Sequence, residues 1–560
     1  MEQARLFIAI GISFVIFMIW GTFFTPEKGA DTLVMEPAAQ VETFDAGESA
    51  VGLNGNKSVE YGASAAGKSS GLTANASMKR DGRTLRIETP LYVAQLSEDG
   101  ALLTSLALRE YRETSAEGSP RKELVSQNMA SNPLKLDFLN QSVKGLGEAV
   151  FESSVEGDVI QASDSEKELV FSWTSPDGVV VEKKYRFNPE RYDIGLEITI
   201  TNRSGEPLRD SMVISLTSRA SGKKAAYGFE GPSVMVGDTV EQIDIDDDDV
   251  VQTFAGKVKF AALETTYFMG SIMPGNGMSG EVRAFKTRGD NLYCQLVYPG
   301  ISIAPDKGQS FNFKIYYGPK SLEALKSVSE DLAGVVNFGW FDFIAKPCLW
   351  LMKLFYKFIP NYGIAIILLT LFIKLLLWPL GVKSYKSMAQ MKKLQPLMTE
   401  IREKYKNDKK KMNEEVMSLY KTYKVNPVGG CLPMVAQIPV FFAFYRMLYQ
   451  AIELRHAPFF LWINDLSAPD RLFAFPFEIP LMEAPYGIPV LTIIMGGSMF
   501  LQQKMSPPMG DPKQAKMMMT LMPIVFTVMF INFSSGLVLY WLVNNVLSIA
   551  QQHYITKKHT

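Results

Sequence analysis

At 560 residues, with three cysteines, three histidines and 57 Lys and Arg against 58 Asp and Glu, the chain has room for several domains. It offers little for a disulfide framework, a Cys-x-x-Cys metal site or a histidine-based catalytic centre. The overall balance conceals a split: residues 25–335 carry 32 basic against 45 acidic side chains, the remainder 25 against 13, so the near-neutral pI is uninformative.

Residues 6–24, LFIAIGISFVIFMIWGTFF, run without a charge for about 28 Å as a helix, enough to cross a bilayer. No small-x-small cleavage site follows, so 1–24 is expected to be an uncleaved anchor. Residues 25–83 are rich in Gly, Ala and Ser without periodicity, the composition of a flexible tether. From Thr84 the period becomes two: TLRIET, LYVAQLS, a hairpin turning at Pro176-Asp177-Gly178, and YDIGLEITITNRSG predict an antiparallel β-sandwich over 84–335. A helical pattern at 321–334 covers one end. Nothing in this domain gathers acids, bases or nucleophiles, so binding or scaffolding is expected and catalysis is not.

Residues 336–359 place Asp342, Lys346, Lys353 and Lys357 on one face and aromatic or aliphatic residues on the others, the pattern of a helix lying in a membrane interface and bent at Pro347. Five further apolar spans follow, at 360–379, 431–452, 486–503, 517–533 and 537–552. The fold expected is therefore α+β, six membrane helices with a large antiparallel β-sandwich. The loop 380–430 holds 12 Lys and Arg against five acids, 504–516 holds three lysines against one aspartate, and 453–485 holds two arginines against five acids. The positive-inside rule puts the first two in the cytoplasm and the third, with the β domain, outside; both termini, including the short tail 553–560, are then cytoplasmic. Within 380–430, Met388, Met391, Leu394, Met398, Ile401 and Tyr405, then Met412, Val416, Leu419 and Tyr423, recur every three or four residues on either side of NDKKK. This predicts a basic helical hairpin, either simply solvated or docking an anionic partner such as ribosomal RNA or lipid headgroups.

Lys374 stands inside GIAIILLTLFIKLLLWPL, where a central charge costs roughly 2.5–3.5 kcal/mol. It either snorkels past Trp378 to the surface or joins the polar residues at similar depth: Thr370, Gln437, Thr492, Ser498, Thr520, Thr527, Asn544, Asn545 and Ser548. No acid occurs in these five spans. That absence favours a hydrated pocket with one uncompensated cation, suited to an anionic or acidic polypeptide guest.

KVNPVGGCLPMVAQIPVFFAFYRML, APFFLWINDLSAPD, QKMSP and MPIVFTVMFINFSSGLVLYWLVNNVLSIAQQ resemble the YidC/Oxa/Alb insertases, in their Gram-negative form. The resemblance implies a hydrophilic groove open to cytoplasm and lipid that receives the polar tail of a nascent inner-membrane protein, with no nucleotide, cofactor, metal or catalytic residue. The family's groove arginine falls on Lys374, which keeps the charge and loses the guanidinium fork. Groove positions also fall on Thr370, Gln437 and Trp541, the last beside the aromatic Tyr540. The sandwich would be the family's β-supersandwich, with a ligand cleft. Implied partners are the Sec translocon, its SecDF accessory, the ribosome through the hairpin, and membrane lipids, with no DNA. A polar-substrate transporter, a membrane-bound transferase and a merely anchored β domain are the competing readings. They would call respectively for inverted repeats, a buried His, Cys or acid constellation, and spans without polar linings.

Overall fold

A computed structural model describes residues 82–126, 132–220, 228–245, 248, 250–275, 278–287, 290–423, 425, 432–505 and 512–559, except the side chains of 409, 432–436, 512–516, 518 and 559. The expected anchor and most of the tether lie outside them.

From Thr84 to Pro319 the chain is strand and turn, because apolar residues alternate and turn residues punctuate them. Val179–Phe187 buries every second side chain, and Asp193–Asn202 does so from Leu196 onward. The hairpin between Lys167–Thr174 and Val179–Phe187 turns where expected, with Gly178 at φ 89°. Two sheets result. One has five strands, running Arg121–Val125, Leu102–Arg112, Tyr92–Ser97, Thr84–Glu88, Val159–Gln161; the other has 13. Among the described residues all pairings are antiparallel except Thr84–Glu88 with Val159–Gln161, which the expectation of a purely antiparallel sandwich did not include. A short edge strand reached through a long connection has no hairpin geometry to dictate its direction.

Lys183 occupies an inward position of that alternation and is 1 % exposed. Its ammonium donates to the carbonyls of Gly100 at 2.8 Å and Leu134 at 3.3 Å, beside a cavity lined also by Asp99 and Glu148. Burial pushes its pKa down to about 7. Between that value and the ordinary 10.5 the unfolded chain binds the extra proton, so β-domain stability should rise with pH by up to about 1.4 kcal/mol per unit from pH 7.5 to 9.5. Thiol labelling of Cys294, fully buried in the same domain, reads this opening in the full chain; Lys183→Met should flatten the slope, and an unchanged slope would reassign it.

Helices follow. α1 (Leu322–Val328) is capped by Ser321, whose hydroxyl accepts from the Ala324 amide. α2 (Asp342–Phe358) buries Ala345, Cys348, Leu349 and Met352 at three- and four-residue spacing and leaves Trp340, just before it, with its own Phe343, Trp350 and Phe358 exposed. α3 (Tyr362–Leu376) packs on α2. α4 (Trp378–Lys404) leaves α3 at 66°, because Pro379, in the first turn of α4, has no amide to donate to the Leu375 carbonyl, and the helix breaks at Leu377. α4 and α5 (Lys409–Thr422) form the basic hairpin, with Asp408 capping α5 and a small core of Met391, Leu394 and Val425.

α6 (Leu432–Gln450), α7 (Val490–Met505), α8 (Pro512–Phe530) and α9 (Ser535–His559) complete the bundle. Among the described residues no single helix is long and apolar enough to cross a membrane; α3 and α4 pass only as a bent pair. The expected spans are diluted by the polar residues they carry, and α3 has only 15 residues where 20 were expected.

The loop after α6 reaches the β domain. Arg455 donates to the carbonyls of Arg112 at 2.7 Å and Glu113 at 3.0 Å and lies over the Phe268 ring, while Lys353 of α2 bridges Glu323 and Glu453.

Candidate functional site

The helical half bares apolar side chains outside and buries polar ones among its core. Phe372, Leu375 and Leu376 of α3, Ile493 and Ile494 of α7, Ile524 and Val528 of α8 and Val546 of α9 stand 41–69 % exposed. Water-soluble surfaces rarely carry so much bare aliphatic area. Asn545, Ser548, Gln551 and Gln552 of α9, with Thr370 and Thr492, are buried.

α9 is the hub, because its polar residues recur at helical spacing. Tyr540, Asn544, Ser548 and Gln551 follow one another by four, four and three, and so share a face. Lys374 lies in the last turn of α3, where the helix dipole favours a cation. Its ammonium turns inward and donates to Asn544 Oδ1 at 3.0 Å and Ser548 Oγ at 2.7 Å. Ser548 donates onward to the Asn544 carbonyl at 2.7 Å, and the Tyr385 hydroxyl of α4 is also hydrogen-bonded to Ser548. Two neutral acceptors therefore hold the charge, with no carboxylate in α3 or α6–α9. Below them Gln551 donates to the Trp378 carbonyl at 3.4 Å and closes on Gly381, where a Cβ would lie 2.6 Å from Gln551 Nε2. On the neighbouring face Asn545 donates to Ser498 of α7 at 3.0 Å, and Gln552 to the Met505 carbonyl at 3.1 Å.

The other candidate residues meet α9 in different ways. Tyr540 is buried, stacks on Phe444 with centroids 4.6 Å apart, and is hydrogen-bonded to Gln437 of α6. Trp541, half-buried, packs edge-on against Phe441 at 4.8 Å and against Phe530 at 5.1 Å. Thr370 is 2 % exposed, and its hydroxyl donates to the Ile366 carbonyl one turn back at 2.7 Å. Lys374 thus meets the foot of α9, Gln437 and the two aromatics its upper part, and Thr370 turns back on its own helix.

Sequence reasoning missed Tyr385, Gln551 and Gln552; the last two were findable from the spacing on α9. It also missed Asp470. That carboxylate, 3 % exposed, accepts from Trp462 Nε1 at 2.5 Å, the Leu491 amide at 2.5 Å and the Thr492 amide at 3.4 Å, and so caps α7 from the preceding loop.

Two family models match the chain: the YidC periplasmic domain over residues 84–351 and the 60Kd inner membrane protein over 354–560. The chain is 42 % identical over 502 residues to the membrane protein insertase YidC of Syntrophus aciditrophicus (strain SB), covering 88 % of this chain and 89 % of that one. It is 44 % identical over 483 residues to that of Syntrophobacter fumaroxidans (strain DSM 10017 / MPOB), covering 84 % and 86 %. It is also 38 % identical over 561 residues to that of Geotalea daltonii (strain DSM 22248 / JCM 15807 / FRC-32), covering 99 % of both.

Proposed function

This chain belongs to the YidC family of membrane protein insertases, inner-membrane proteins with a periplasmic domain, and on that premise we propose a route for its clients. The polar tail of a nascent inner-membrane protein enters a hydrophilic groove between α3, α6 and α9, open to the cytoplasm and to lipid, and Lys374 attracts its acidic groups. The observation that carries this reading is a cation turned into the bundle on two neutral acceptors, with no acid in any of the five helices. A lysine kept only as glue would sit more cheaply beside a carboxylate.

Gln437 and Trp541 line the upper groove, and the buried Thr370 and Tyr540 reach a guest once the neighbouring helices part. In this reading the chain crosses six times, with both termini in the cytoplasm and the β domain in the periplasm, as the charge of the loops favours. α3, about 22 Å long, is short of a hydrocarbon core of about 30 Å, so the apolar layer beside the groove is thin. Carrying a polar tail across that layer is the barrier, and lipid burial of the client's helix drives the process without nucleotide. The basic hairpin α4–α5 docks the ribosome, the chain works alone or with the Sec translocon and SecDF, and no bond is made or broken.

Photo-crosslinkers at Gln437 and Trp541 test this with a ribosome-stalled client. Both positions should capture the client's polar tail as it enters, whereas a crosslinker at the outward-facing Val546 should capture lipid first. Capture equal at all three positions would remove the groove from the mechanism.

A further inference from the structure

The loop between α6 and α7 exposes large apolar side chains where a water-facing loop would carry polar ones. Phe460 stands 54 % exposed, Leu461 85 %, Phe473 69 %, Phe477 59 % and Leu481 77 %. The three most exposed of these are also the three with positive φ: Leu461 at 58°, Phe473 at 59° and Leu481 at 67°. A left-handed turn in water selects Gly, Asn or Asp. Here the chain accepts both the backbone cost and the exposure.

The strain is held in place by the surrounding bonds. Arg471 donates to the carbonyls of Pro485, Asp470 and Ile531, each at 2.8 Å. Asn532 donates to the Leu481 carbonyl at 3.0 Å and accepts from the Glu483 amide at 2.9 Å. Phe475 and Phe477 stack 5.3 Å apart beside the hairpin of Leu472–Phe475 with Tyr486–Ile488.

We propose that this crown is a lipid wedge, seated in the acyl layer of the leaflet nearest the β domain. The proposal rests on the membrane reading above. Continuity identifies the occupant: Ile531 and Asn532 tie the loop to the end of α8, and Ile488 leads directly into α7. The bare aliphatic face of those helices therefore runs on into the crown through Ile493, Ile494 and Val528. Glu478 and Glu483, both exposed, limit the depth, since carboxylates remain at headgroup level. A wedge in one leaflet beside a short α3 would disorder the lipid where a client helix leaves the groove.

Nitroxides at positions 461, 473 and 481 test it in the full chain carrying Cys431→Ser, with the buried Cys294 and Cys348 retained. One copy is placed in each phosphatidylethanolamine–phosphatidylglycerol nanodisc, without client. Collision with oxygen should exceed collision with a water-soluble nickel chelate at all three positions and at Ile494, and the order should reverse at Glu156. Lipid-like values at 494 with water-like values at the crown would overturn the wedge and leave the membrane reading intact. Water-like values at both would overturn both. Labels shielded from both reagents would mean the crown packs against protein, and the wedge would also fail.

Discussion

Replacing Lys374 by glutamine should slow insertion of a client with an acidic tail about tenfold, while a neutral-tailed client of the same apolar segment changes little. Two unit charges 4 Å apart interact by about 4 kcal/mol at an effective dielectric of 20. A passing contact that retains a third of that lowers the barrier by about 1.4 kcal/mol, a factor of ten in rate. The fold should tolerate the change, because a glutamine amide can still donate to Asn544 or Ser548. Lys374→Arg keeps the charge and should keep the preference. Protease protection of paired clients inserted into proteoliposomes measures the ratio; equal slowing of both tails would show that Lys374 acts on the bundle rather than on the guest.

Asp470→Ala should cost about 3 kcal/mol, concentrated at the start of α7. Its carboxylate serves Trp462, Leu491 and Thr492 in a site that admits almost no water. Hydrogen bonds to a charged acceptor are worth about 1.5–3 kcal/mol, and donors left buried carry their full desolvation penalty. Hydrogen exchange of the full chain in nanodiscs should show lost protection at residues 491–496 while the β domain keeps its own. Asp470→Asn, which retains one acceptor, should fall between. Wild-type protection in the alanine variant would mean another group caps the helix.

The β half was legible because its information is local: alternation, turn residues and a hairpin at Pro176-Asp177-Gly178 need only neighbours in sequence. Lys183 was not read: it is the middle inward position of VVVEKKYRF, and a lysine passes for a surface residue until its register is counted. The membrane half was read as spans, and there the structure departs. A single 20-residue span was expected where α3 ends after 15 residues and α4 turns away by 66°. Trp378-Pro379 carried the signal, which the apolar run concealed.

The sequence by itself determined the acidic and basic halves, the strand-then-helix order and the set of polar residues that lipid would reject. It did so because hydropathy period and charge act on each segment separately. Only the tertiary structure decided which of those polar residues answer one another: Lys374 and Asn544 are 170 positions apart, and nothing in either segment selects its partner. Holding a charge inside a helix bundle requires acceptors at hydrogen-bond distance, and helix packing alone supplies that geometry.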